Sequence, residues 1–362
     1  MTYSHDMLAE QFDEFADWCV GTSPLYERLA RGVADDPGLL NLAATVPEDR
    51  SPPHLLLASV HSLLLAGVDH PLSAYYRTCA NDPTTPTDSD PLPAFRAFCD
   101  GFADELRETL RTRRTQTNAV RRCAALLPAF EHVSRVTVGP LALIELGSSA
   151  GLNLLWDCYG YDYGEHGRYG RTDSSVRIAS TVRGDRSPPL PDGLPSVASR
   201  VGIDLQPLDV TDPADARWLR ALVWPEHGER HELLRQAIAV AREQPPALVA
   251  GDAAETLPDV LAEIPPRHPL CVFDTQLRYQ LDQTGRERLR SALEAAGGER
   301  ELHVLSGGPA NGSREHGISL THSVFDPGER RTELLVYQQH GEWIEWLAEG
   351  GPYAVTRRRT RR

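Results

Sequence analysis

LALIELGSSAGLNLLWD, residues 141–157, poses a choice between two kinds of chemistry. An apolar run ends in Glu145, breaks into small residues, and resumes as an apolar stretch with helical spacing. That pattern is a strand, a tight turn and a helix start. Read as Glu-x-Gly-x-x-x-Gly, the turn is a ligand loop whose glycines let a bound group approach backbone amides at a helix N-terminus. Read as Gly-x-Ser-x-Gly, it is an elbow that exposes Ser149 as a nucleophile. Small residues relieve crowding in both, so the turn alone does not choose.

Its surroundings narrow the choice. Downstream, GIDLQPLD, PALVAGD, PLCVFDTQL and RELHVLSGG read as strands, separated by PADARWLRALV, HELLRQAIAVAREQ, LPDVLAEI and GRERLRSALEAAGG, which read as helices. Such alternation predicts an α/β fold with a mostly parallel sheet covered on both faces. GISLTHSVF and RRTELLVYQQ flank DPGE, with Pro327 and Gly328 at the centre of a type II turn, so the sheet closes with an antiparallel hairpin. EWIEWLAE is a candidate third strand. Upstream, residues 1–135 read as helical: SPPHLLLASVHSLLLAG is Pro-initiated and apolar on nearly all sides, and LPAFRAFCDGFADELRETLRTRR and TNAVRRCAALLPAFEHV are amphipathic. The expected organisation is an all-helical domain at 1–135, a lid or interaction surface, and a Rossmann-like domain at 136–362. The latter carries a Gly/Tyr-rich insertion near 159–195 and ends in a basic, solvated RRRTRR tail. A nucleophile elbow expects several strands before its serine and has no use for Glu145, which favours the ligand loop.

Composition removes other chemistries. The 362 residues carry a formal charge of −14, which argues against nucleic acid as the main partner. All 37 basic residues are arginine, so no Schiff-base lysine, P-loop lysine or Ser-Lys dyad exists. Arginine without lysine amid many carboxylates suits a chain adapted to high salt. The six cysteines are scattered without a C-x-x-C, indicating neither zinc nor disulfides and fitting a reducing cytoplasm. The acidic start lacks the pattern of a signal peptide, and no apolar run is long enough to span a membrane. The expectation is a soluble cytoplasmic protein without a metal site.

Strand–helix alternation closed by a hairpin resembles the class I S-adenosylmethionine-dependent methyltransferases, in which a seventh strand inserts antiparallel beside the sixth. Glu145, Gly147, Ser149 and Gly151 match that family's first motif, with serine at the middle glycine position. The resemblance implies S-adenosylmethionine as cofactor. Glu145 would sit near its methionine portion, and Gly147, Ser149 and Gly151 would line it with backbone. Asp209 would accept from the ribose hydroxyls, with Asp204 as the alternative in the same strand. Asp252 in VAGDAAETL would accept from the adenine amino group. Asp274 in CVFDTQLRYQL would face the substrate, as catalytic base if the acceptor needs deprotonation. The interval from Gly151 to Asp209 is longer than the family's, so the insertion must fill it, and DTQL stands where an N-P-P-Y-like motif would follow the fourth strand. Over nearly the whole chain SPLYERLA, LLLASVHSLLLAG, TQTNAVRR, IELGSSAGLNLLWD, GIDLQPLDVTDP, RWLRALVWP and FDTQLRYQL are similar to the uncharacterised family named domain of unknown function 2332, with Ala119 where glutamate is expected.

The implied activity is methyl transfer to a small-molecule or other acceptor. Two alternatives stand beside it. One is a serine hydrolase using Ser149 with Asp252 or Asp274 and His303, His316 or His322. The other is a methyltransferase-like fold that binds a nucleoside or partner without chemistry. His54 and His61, seven apart on one helical face, are placed either to look into a substrate cavity or to satisfy hydrogen bonds in a core, and His227, Arg230 and His231 after Trp224 lack metal-ligand spacing.

Overall fold

The computed structural model describes residues 3–310, 317–326 and 328–349. The chain packs as two units, Met1–Thr117 with Asp209–Arg235, and Asn118–Leu208 with Gln236–Arg362. Short polar side chains set where the helices begin. In the helical unit, α1 (His5–Cys19) is capped by Ser4, α2 (Pro24–Ala34) by Ser23 and α3 (Pro37–Ala43) by Asp36, the last two with proline in the first turn. α4 (Pro52–Leu65) buries Leu55, Leu56, Leu57, Val60 and Leu64, as a helix apolar all round must. α5 (Leu92–Gly101) and α6 (Ala103–Thr112) follow.

The last element before the expected boundary belongs elsewhere. α7 (Cys123–Val136) lies in the sheet unit, because Phe130 packs on Phe273 and Trp156 at ring-centroid distances of 5.2 and 4.9 Å. Conversely, α8 (Pro213–Ala221) returns to the helical unit, where Trp218 donates to the Arg114 carbonyl at 3.0 Å and Asp215 pairs with Arg113 at 2.5 Å. The helical unit therefore stops short of residue 135 and regains a segment from the middle of the chain.

Among the described residues twelve strands follow in chain order: β1 (Leu141–Leu146), β2 (Gly160–Asp162), β3 (Arg168–Gly170), β4 (Arg177–Ala179), β5 (Thr181–Arg183), β6 (Val197–Asp204), β7 (Ala247–Ala250), β8 (Leu270–Asp274), β9 (Leu302–Pro309), β10 (Gly317–Phe325), β11 (Glu329–Gln338) and β12 (Trp343–Trp346). Among them run α9 (Gly228–Glu243), α10 (Ala253–Ala262), α11 (Leu277–Gln280) and α12 (Gln283–Glu299). The main sheet has nine strands in the order β5-β12-β11-β10-β9-β8-β1-β6-β7. From β7 to β9 the pairing is parallel, and strand order reverses between β1 and β8. That reversal is the topological switch point, beside which open α/β sheets place ligands.

Beyond β9 the sheet departs from the methyltransferase arrangement. β10, β11 and β12 are added in chain order as an antiparallel meander, with no strand inserted between earlier ones. Residues 310–316 are too few for the crossover that parallel pairing needs. The expected DPGE turn joins β10 to β11, although Pro327 lies outside the described residues. The insertion forms a small sheet, β3-β2-β4, and sends β5 to the far edge of the main sheet beside β12. One expectation fails at the centre: Leu152–Cys158 after the glycine turn is a kinked 3-10 segment, not a regular helix.

One face of β1 and β8 packs Ala142, Ile144, Leu146, Leu270 and Val272 against Leu257 and Leu261 of α10 and Leu289 and Leu293 of α12. Near the strands' N-terminal ends, His303 Nδ1 lies 3.0 Å from His322 Nε2, and the His132 ring stands edge-on to His322 at 5.2 Å. Burial, reinforced by His303, holds His132 down to about 4 and His322 down to about 3. Unfolded histidine titrates near 6.5, so below that pH the unfolded chain takes up protons first. Stability is therefore expected to fall as pH drops from about 6.5 towards 4, by on the order of 1.4 kcal/mol per unit for each such group. Denaturant titrations across that range should show the slope, and His322→Asn should flatten it.

Candidate functional site

The turn after β1 passes through the left-handed region three times, at Gly147 (φ +69°), Ser149 (φ +54°) and Gly151 (φ +69°). Ser149 is the one non-glycine residue among those described with positive φ. Five of the turn's amides are committed inside the protein. Gly147 and Ser148 donate to the Ile203 carbonyl at 2.8 and 3.2 Å, Ser149 to Asp204 Oδ2 at 2.8 Å, Gly151 to the Ser148 carbonyl at 2.7 Å, and Leu152 to Asn118 Oδ1 at 3.0 Å. A Cβ on Gly151 would come within 2.7 Å of Pro246, and one on Gly147 within 3.2 Å of Leu277. These glycines thus serve the chain's own packing, and what this edge presents to a ligand is side chains.

Two buried carboxyl groups stand at the switch point. Glu145, near the end of β1, accepts from Asn153 Nδ2 at 3.1 Å through Oε1, while Oε2 has no hydrogen-bond partner. Desolvation pushes the Glu145 carboxyl up to about 8; Asp204 and Asp274 add to the rise, and Asn153 and Arg122 oppose it. Asp274 ends β8, where Oδ2 accepts from the Ser306 hydroxyl and faces Arg278 Nε at 3.5 Å, and Oδ1 has no hydrogen-bond partner. Burial raises this carboxyl too, against the pull of the Arg278 guanidinium, the Ser306 hydroxyl and the nearby backbone amides of Arg278 and Leu277. Glu145 is in register with Phe273, so strand alternation directs Asp274 to the opposite face of the sheet.

Arg122 completes the set, and sequence reasoning missed it. Its side chain is buried, with Nε donating to the Gln339 carbonyl at 2.9 Å, Nη1 to Thr275 Oγ1 at 3.2 Å and Nη2 to Gln276 Oε1 at 2.6 Å. Every one of these partners is neutral, and burial lowers the guanidinium's pKa. TQTNAVRR, which supplies Asn118 and Arg122, and FDTQL, which supplies Asp274, Thr275 and Gln276, thus meet at one place. The available signal was a polar run opening an otherwise apolar helix.

The other sequence candidates have local tasks. Asp204 ends β6 and accepts from the amides of Ser149 and Gln206 at 2.8 and 2.9 Å. Asp209 belongs to the helical unit, exposed, and its Oδ1 accepts from the Thr211 amide and hydroxyl at 2.8 and 2.7 Å. Asp252 caps α10, accepting from Ala254 and Glu255 through Oδ1. For the elbow reading, Ser149 has the strained backbone but not the histidine. His303 is level with Leu143, in the middle of β1, and His322, level with Glu145, lies three strands away in β10 and turns its Nε2 to His303. His316 lies outside the described residues. In the helical unit, His61 is fully buried and bonds the Ala221 carbonyl and Thr78 Oγ1 at 3.0 and 2.7 Å. Among the described residues no group of three or more His, Cys, Asp or Glu could hold a metal ion.

The Glu145 shift fixes the sign of a measurable pH effect. Its carboxyl keeps its proton in the folded state up to about 8, whereas an unfolded glutamate loses it near 4.5. Across that window the wild type is expected to lose stability relative to Glu145→Gln as pH rises, by on the order of 1.4 kcal/mol per unit. Paired denaturant titrations at pH 5 and pH 8 check it; parallel curves would show an ordinary carboxylate.

A family model described as "Uncharacterized protein conserved in bacteria (DUF2332)" matches residues 9–346, and the chain belongs to that family. No curated protein and no solved structure matches the chain. No helix among the described residues is long and apolar enough to cross a membrane.

Proposed function

We propose that this DUF2332 member is an S-adenosylmethionine-dependent methyltransferase whose cofactor lies along the C-terminal edge of the sheet. One observation carries the reading. At the switch point a buried arginine whose hydrogen-bond partners among the described residues are all neutral accompanies two buried carboxyl groups, each with one oxygen lacking a hydrogen bond. Such groups are costly unless a ligand completes them. A ligand bearing a carboxylate, an ammonium and a sulfonium is complementary: Arg122 would hold the carboxylate and Glu145 would face the cationic portion, while Asp274 is left for the acceptor. Asp252, at the head of α10 after β7, would take the nucleoside end through the oxygen that does not cap the helix.

When bound, the cofactor supplies an electrophilic methyl group on sulfur. The chain's own work is to align an acceptor with it and to exclude water. Asp274, with its raised pKa, would take the acceptor's proton as the new bond to carbon forms. The commitment of the turn's amides favours a second reading, a nucleoside-binding protein on this fold without chemistry.

Calorimetric titration with S-adenosylmethionine and S-adenosylhomocysteine at high salt tests both. Saturable binding is expected, weakened at least about tenfold by Arg122→Met, the scale of one charged hydrogen bond. Asp252→Asn, which keeps the helix cap, should also weaken it, and Asp274→Asn should leave it near the wild-type value. Binding without methyl transfer to any acceptor would select the second reading, and no binding by folded protein would remove both. Ser149 is expected to be inert to a fluorophosphonate probe.

A further inference from the structure

We propose that the helical unit carries a separate site for a small alkylated ammonium ion, seated against the indole of Trp18. Trp18 lies near the end of α1, and its neighbours are rings. Phe15, His54 and Trp224 stand at centroid distances of 5.7, 5.4 and 5.0 Å from it, with Phe15 and Trp224 nearly perpendicular at 82° and 78°. A side chain in such company would ordinarily be covered, yet Trp18 is 49% exposed. It lines a cleft of about 550 Å³ together with Phe15, Glu14, Ser51 and His54.

The charges suit a cation. Glu14 lines the cleft and makes no ion pair among the described residues, whereas Asp49 is held by Arg114 at 2.7 Å. Arg50, the cationic side chain of the lining, turns its Nη1 to the carbonyls of Arg111 and Arg113, both at 2.8 Å. The His54 Nδ1 lies 2.8 Å from Ser51 Oγ, and burial holds the ring down to about 4, so this wall is a neutral aromatic face at ordinary pH.

The chain also shows how it treats other tryptophans. The Arg183 guanidinium covers Trp343 at 4.4 Å from the ring centroid, and Arg113 covers Trp218 at 5.9 Å. Among the described residues Trp18 has no such cover. Rings set at right angles present π faces to more than one side of a compact tetrahedral cation, whereas a flat guanidinium would meet only one. A strongly hydrated metal ion would not exchange its water for rings.

Choline chloride is the probe, titrated by calorimetry into the full-length protein at constant total chloride, with 3,3-dimethylbutan-1-ol as its uncharged isostere. Saturable choline binding is expected, at least about threefold tighter than the isostere, since a cation over an indole contributes on the order of 0.5–2 kcal/mol. Trp18→Ala should abolish it, Trp18→Phe should weaken it, and Glu14→Gln should weaken it two- to threefold. If Trp18→Ala does not fold, Trp18→Phe and the isostere still decide. Absence of saturation, equal affinity for the isostere, or unchanged binding by the Trp18 variants would overturn the proposal. None of these outcomes depends on whether the sheet unit binds a nucleoside.

Discussion

Strand β1 is hydrogen-bonded on both edges, to β6 and β8, and all six of its residues are buried. A chain leaving such a strand must turn at once or collide with its neighbours. That constraint accounts for the left-handed residues of the turn, for the packing of Pro246 against Gly151, and for the use of Asp204 to receive the Ser149 amide. It also accounts for the position of Glu145, which remains on the buried strand while the turn closes over it. The polar cluster at the switch point is what this geometry leaves once the backbone has satisfied itself.

What was legible in the sequence was mostly local. Ser23, Asp36, Asp212, Asp252 and Asp282 cap helices where their short oxygen-bearing side chains precede an apolar run. Strand and helix alternate after residue 141 because burial on both faces demands apolar runs of strand length. The non-local features were not legible. Placement of α7 on the sheet depends on Phe130 meeting Phe273, and the meander depends on a short link whose consequence appears only when β9 is placed. Among the site residues, acids at strand ends could be read from residue type. Their engagements could not, since the Asp204 contact joins residues 55 positions apart and the Arg122 contacts join residues more than 150 apart.

A chain with arginine as its sole basic side chain solves burial in its own way. The guanidinium is planar and weakly hydrated, with five donors, so Arg122 can be buried among a carbonyl, a hydroxyl and an amide oxygen. An ammonium at that place would be a more strongly hydrated point charge and would lose its proton more readily. The same planarity lets Arg183 and Arg113 lie over indole rings. Charge, packing and aromatic contact are thus handled by one residue type.

The pairing of β5 with β12 joins Thr181 to Trp343, 162 positions later in the chain. During synthesis, β5 leaves the ribosome long before its neighbour exists. Until then the insertion carries an unpaired strand edge, a template on which another nascent chain could dock. The short length of β5, three residues, limits that hazard. That edge of the sheet therefore cannot be sealed until translation has reached β12, and the strand that seals it is the fifth of the twelve in chain order.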